Sequence, residues 1–107
     1  MTNIASHPEK FGLRTIKSHD VAGSCEFDEV VLWRRDSDGT YWIGHDTGCS
    51  CPEPFGGMGV DDLTQVKTKA DVAQFARERW KASYVDETDI ERGVAELMER
   101  VALEESL

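Results

Sequence analysis

No apolar run in this chain approaches the roughly 20 residues that a membrane-spanning helix needs. None forms the core of an export signal either, because His7, Pro8, Glu9 and Lys10 interrupt the opening stretch. A soluble, cytoplasmic protein with no membrane partner is the expectation. Positive charge is scarce: 12 Lys and Arg stand against 21 Asp and Glu, a net charge of −9. The adjacent Arg34 and Arg35 are too little for a phosphate-binding patch, so direct nucleic-acid binding is not expected. A phosphate-cradling loop is lacking as well, since Gly56, Gly57, Met58 and Gly59 are not followed by Lys and Ser or Thr. Cysteine is limited to Cys25, Cys49 and Cys51. An odd count without an export signal suits free thiols in a reducing compartment.

What is present suffices for one small domain. Of 107 residues, 39% are apolar and three are Trp, enough for a core without metal or disulfide support. Residues 1–10 lack periodicity and read as a loose end. Residues 11–17 alternate at Phe11, Leu13 and, after a slip, Ile16, as a short edge strand would; 18–24 read as loop. The strongest strand signal is residues 27–35, where Val30, Val31, Leu32 and Trp33 follow one another. Four apolar residues in succession imply cover on both faces of a sheet. Asp38 and Gly39 then mark a hairpin turn, because glycine takes the positive φ it requires. A four-residue loop sets Trp33 opposite Trp42 and Leu32 opposite Ile43 on the returning strand.

The second half is helical. Residues 60–67 predict one short turn, and Thr68 with Asp71 forms a capping pair. Val72, Phe75, Ala76 and Trp80 share one side of a first helix. Ile90, Val94, Leu97, Met98 and Val101 form the apolar stripe of a second. Arg92, Glu96 and Arg100 are spaced to pair along its outer face. Gly93 costs about 1 kcal/mol against Ala in a helix and lies beside the stripe, where something can approach closely. Strands first and helices after predict an α+β fold: a small antiparallel β-sheet with a central hairpin over 27–45, packed against two C-terminal helices over about 70–83 and 88–104.

Chemistry concentrates between Asp46 and Gly57. Cys49 and Cys51 are candidate zinc ligands with His45 and either Cys25 or His19, although Cys-x-Cys is tighter than the usual spacing and no second pair exists. They are also a candidate redox couple through a strained, easily reduced disulfide. In a third reading the thiols are small apolar fillers, while Pro52, Pro54 and an exposed Phe55 present a stiff contact surface above Trp42. A Cys49 or Cys51 triad with His45 or His19 and Asp46 or Asp20 can be drawn, but its spacing matches no active-site signature.

The hairpin containing Val30, Val31, Leu32 and Trp33, followed by Tyr41, Trp42, Ile43 and Gly44, runs into Asp46, Thr47, Gly48, Cys49, Ser50, Cys51, Pro52, Pro54 and Phe55. These residues resemble a family of small uncharacterised actinobacteriophage proteins, a domain of unknown function. Its mark is Asp-Ser/Thr-Gly-Cys-Ser-Cys-Pro-x-Pro-Phe after a Trp-rich hairpin. The likeness covers residues 27–63 and departs at Gly56 and Gly57, where the family continues with an acidic residue. It implies a phage product in the host cytoplasm and brings no activity with it. The resulting expectation is a non-enzymatic protein-protein interaction module without cofactor or metal, a monomer or small homo-oligomer whose partner is a host or phage protein. Its binding residues would be Trp42, Asp46, Cys49, Cys51, Pro52, Pro54 and Phe55. The alternatives are the thiol or zinc protein and an acidic nucleic-acid mimic using Glu91, Glu96, Glu99, Glu104 and Glu105. From Asp86 onward eight acids face two arginines, leaving −6 of the total charge there.

Overall fold

The computed structural model describes residues 3–22, 26–49 and 54–106, the side chain of Cys49 excepted. Strands β1 (Arg14–Asp20), β2 (Glu26–Arg35), β3 (Thr40–Cys49) and β4 (Thr64–Val66) form one antiparallel sheet in the order β1-β2-β3-β4. Helices α1 (Lys69–Ala82) and α2 (Glu87–Glu105) cover one face of it. The fold is α+β, as the order of strand and helix signals implies.

The β2–β3 hairpin sets the geometry. Trp33 pairs with Trp42 and Leu32 with Ile43, the register that the loop length predicts. Because side chains alternate along a strand, the apolar run of β2 divides between two cores. Val30 and Leu32 join Ile43, Ala76, Trp80 and Leu97 beneath the helices. Val31 and Trp33 face the other way, packed with Ile4, Leu13, Phe55 and Leu63. Both faces of the strand are sealed by different parts of the chain.

For residues 3–10 that second core overturns the reading of a loose end. Ile4 is fully buried and Asn3 nearly so. The Asn3 Oδ1 atom accepts from the backbone N–H groups of Ala5 and Ser6, and a 3-10 turn follows at Pro8–Phe11. A segment that caps a sheet face needs only one or two apolar side chains, so it carries no periodicity to read. The first strand begins later than expected and runs on through Ser18, His19 and Asp20, which pair with Val31, Val30 and Glu29. Its irregular alternation is a β-bulge between Thr15 and Lys17, which leaves Ile16 and Lys17 both on the helix side, while Leu13, three residues before Ile16, faces the other core by ordinary alternation. Strand β4 forms where a turn alone is expected. Three residues carry too little pattern to announce a strand, and pairing with Tyr41, Trp42 and Ile43 creates it.

Thr68 and Asp71 cap α1 reciprocally: the Thr68 Oγ1 atom accepts from the Asp71 N–H, and Asp71 accepts from the Thr68 N–H, both at 3.1 Å. On α2 the expected Arg92–Glu96–Arg100 ladder gives way to other partners. Glu96 pairs with Lys17 of β1 at 3.6 Å, Arg92 with Asp89 at 3.5 Å, and the Arg100 Nε atom donates to the Ile16 carbonyl at 3.0 Å. Strand β1 lies under this helix and offers the bulge carbonyl, a fixed acceptor that a mobile helix neighbour cannot match.

Gly93 is the point where α2 meets Trp80. A Cβ there would sit 2.6 Å from the Trp80 Cη2 atom, 2.7 Å from Cζ3 and 3.0 Å from the His19 Cδ2 atom. Helix propensity alone makes Gly93→Ala stabilising by about 1 kcal/mol. Overlap with a fully buried indole costs about 1–3 kcal/mol and dominates. Gly93→Ala is therefore expected to lower the urea unfolding midpoint. An unchanged or raised midpoint would contradict the close approach.

Candidate functional site

Beyond Ile43, strand β3 carries the side chains on which the chemistry converges, divided between two faces. Asp46 lies on the face away from the helices, paired in register with Glu29, which in turn pairs with Asp20. Its carboxylate fastens both ends of the following segment. The Oδ1 atom accepts from the Thr47 N–H at 3.0 Å and the Oδ2 atom from the Phe55 N–H at 2.9 Å. The Pro54 carbonyl accepts from the Asn3 Nδ2 group at 2.8 Å, which ties the segment to the N-terminal cover.

Phe55 is not the exposed contact expected of it. Its ring is fully buried, edge-on to Trp33 with centroids 5.6 Å apart and planes at 90°. Burying a ring of this size contributes about 1.5–3 kcal/mol to the fold. The backbone adopts a φ of 63° to turn it inward. Gly44 makes room: a Cβ there would lie 2.7 Å from the Leu63 Cδ2 atom and 3.3 Å from both the Phe55 and Trp33 rings. Trp42 is half-buried on the same face. Its indole Nε1 atom donates to the Thr40 Oγ1 atom at 2.8 Å, and the Arg35 guanidinium lies 4.9 Å from its ring centroid. Pro54 is half-buried. Ser50, Cys51, Pro52, Cys25 and the Cys49 side chain lie outside the described residues, and with them the thiol, disulfide and zinc-ligand readings.

The imidazoles do not meet the acids drawn beside them. Consecutive strand residues face opposite sides, so Asp46 is across the sheet from His45 and Asp20 across it from His19. His45 instead bonds Asp28, with Nε2 and Oδ1 2.6 Å apart and both side chains about nine-tenths buried. The Trp80 indole N–H donates to the Asp28 carbonyl at 3.2 Å. Sequence reasoning missed this His-carboxylate pair, although the hairpin register predicts it: His45 opposes Val30, one diagonal step from Asp28. His19 packs edge-on against Trp80 at 5.8 Å, and burial depresses its pKa. Among the described residues, no three His, Cys, Asp or Glu side chains are placed to hold a metal ion.

The acidic face of α2 is largely neutralised. Glu91 pairs with Arg77 at 2.8 Å, Glu96 with Lys17, and Glu105 with Lys69 at 3.4 Å. Glu104 is not a surface charge: it is buried and bonded to Arg14, which holds its carboxyl below the usual range. A mimic of nucleic-acid charge built on these five residues loses one to the core and three to ion pairs.

Glu29, between Asp20 and Asp46, is half-buried, and its pKa is raised by burial first and by those two acids after it. A carboxyl with a raised folded-state pKa binds its proton more tightly folded than unfolded, so its contribution to stability declines as pH rises through that range. Glu29→Gln is therefore expected to stabilise the chain at pH 7, with the advantage gone below about pH 4. Thermal melts across that range check it, and a constant difference would refute it. Phe55→Ala is expected to destabilise by about 3–5 kcal/mol, measured by urea unfolding. A loss under 1 kcal/mol would place the ring outside the core.

No curated protein and no solved structure matches the chain. A family profile described as a domain of unknown function (DUF7574) matches residues 2–104. That span includes the N-terminal cover, the hairpin, the fastened segment and both helices, and the chain belongs to this family.

Proposed function

We propose that this chain is a non-enzymatic protein-protein interaction module whose contact surface is the segment between Asp46 and Phe55. The observation that supports it is the fastening of that segment at its base. One carboxylate holds the N–H groups of Thr47 and Phe55, and the Phe55 ring is locked into the second core. Compact surface loops with adjoining ends on a rigid scaffold are frequent binding elements. Ends held together restrict a loop before docking, so less entropy is lost on docking, and Pro52 and Pro54 act in the same direction. In this reading Phe55 is the anchor that positions the contact, while Pro52, Pro54 and their neighbours make it. The thiols of Cys49 and Cys51 serve as small apolar fillers. The phage-like motif suggests a host or phage protein as the partner, met in the bacterial cytoplasm.

The test uses the paired substitution Pro52→Ala with Pro54→Ala, which leaves the Pro54 carbonyl and the Phe55 anchor in place. Affinity capture from infected host cells should recover a partner with the parent chain and lose it at least tenfold with the variant. Thermal midpoints of the two should agree within a few degrees. An identical set of captured proteins would overturn the reading. A native mass carrying one zinc ion, or two protons short, would replace it with the thiol alternative.

A further inference from the structure

The carboxylate that fastens the candidate contact segment stands in a row of three. Asp20 on β1, Glu29 on β2 and Asp46 on β3 are partners in register, so their side chains leave the sheet on one face. Directly opposed residues have Cβ atoms about 4.5–5.5 Å apart. The two outer acids are engaged by backbone. The Asp20 Oδ1 atom accepts from the Ala22 and Asp28 N–H groups, both at 2.9 Å, and Asp46 accepts from those of Thr47 and Phe55. Glu29, between them, is half-buried. Among the described residues no hydrogen-bond donor reaches its carboxyl, and the charges acting on it are those of Asp20 and Asp46. Its same-face neighbours along β2, Phe27 and Val31, are apolar, and Gly44 and Gly48 flank Asp46 on β3. The helices lie across the sheet and bring no basic group to it. Hydrogen bonds favour the charged form of both outer acids and nothing favours that of the middle one, so a proton lodges there first.

We infer that Glu29 sets, through its proton, how firmly Asp46 holds the Phe55 N–H. A protonated Glu29 donates its O–H to a spare lone pair of the Asp46 carboxylate and supports the orientation in which that carboxylate reaches Phe55. When the proton leaves to solvent, two carboxylates oppose each other on neighbouring strands with no positive group between them. Asp46 then gains by turning toward water, away from the Phe55 N–H. Burial and the two flanking acids raise the pKa of Glu29, so the change falls above the ordinary glutamate value of 4.5. The hold is firm on the acid side of that point and weakens as pH rises through it. Fastening of the contact segment becomes pH-dependent as a result. That consequence rests on the loop reading, whereas the link between Glu29 and the Phe55 N–H does not.

Carboxyl carbon shifts and amide hydrogen exchange of the full chain, followed from about pH 4.5 to 7.5, test it. The Glu29 carboxyl should titrate with a midpoint above that of an exposed glutamate. With the intrinsic pH dependence of exchange divided out, protection of the Phe55 amide should fall about threefold as pH rises through that midpoint. The fall is measured relative to the Leu97 amide, which lies in the core and reports global opening. Glu29→Gln carries no charge at any pH and should hold Phe55 at its acid-side protection throughout. Asp20→Asn keeps the Oδ1 acceptor and removes one of the two flanking charges. It should move the Glu29 and Phe55 midpoints down together by about half a pH unit. Phe55 protection that ignores the Glu29 midpoint, keeps its pH dependence in Glu29→Gln, or changes only in proportion to Leu97 would overturn the inference. If the variant with both prolines replaced captures an unchanged set of proteins, the loop reading falls while a linked Glu29 and Phe55 still stand.

Discussion

Leu32 and Trp33 are neighbours in sequence, yet one is sealed beneath Trp80 and Leu97 and the other beneath Phe55 and Ile4. Strand β2 must be covered on both sides, because leaving either face in water forfeits about 1.5–3 kcal/mol per large side chain. The two helices can close only one face. The other is closed by pieces drawn from three distant parts of the chain: the N-terminal segment, Phe55 and Leu63. This requirement explains why residues 3–11 are ordered, why Gly44 lacks a side chain, and why Phe55 turns inward.

The same requirement shapes the candidate contact surface. An aromatic placed after two prolines looks like an exposed anchor when considered alone. Here the second core claims it, and the edge-to-face contact with Trp33 adds about 0.5–1.5 kcal/mol to its burial. Asp46 then has a structural task, accepting from the backbone N–H groups of Thr47 and Phe55. What the loop can offer another molecule is therefore set by residues between the two fixed points.

Polar groups follow the alternation of the strands. Asp20, Glu29 and Asp46 form a row on one face, whereas His19, His45 and Asp28 lie on the other. Pairing by sequence proximity, His45 with Asp46 or His19 with Asp20, fails because adjacent strand residues diverge. Pairing by register succeeds, and brings Asp28 to His45 from 17 positions away. On α2 the ladder of like-spaced charges yields to β1, whose Lys17 and bulge carbonyl lie beneath the helix.

Local rules were sufficient for the hairpin, its register, the cap at Thr68 and the stripe of α2, since each depends on residues within one or two turns or a single loop. They also required two covered faces for the run from Val30 to Trp33 without naming the cover. Tertiary structure alone decided that Ile4 and Phe55 provide it, that Gly93 admits Trp80, that three residues after Leu63 become a strand, and that Glu104 leaves the acidic surface for Arg14. Each of these is a contact between segments far apart in the chain, where no short-range pattern records which partner burial will select.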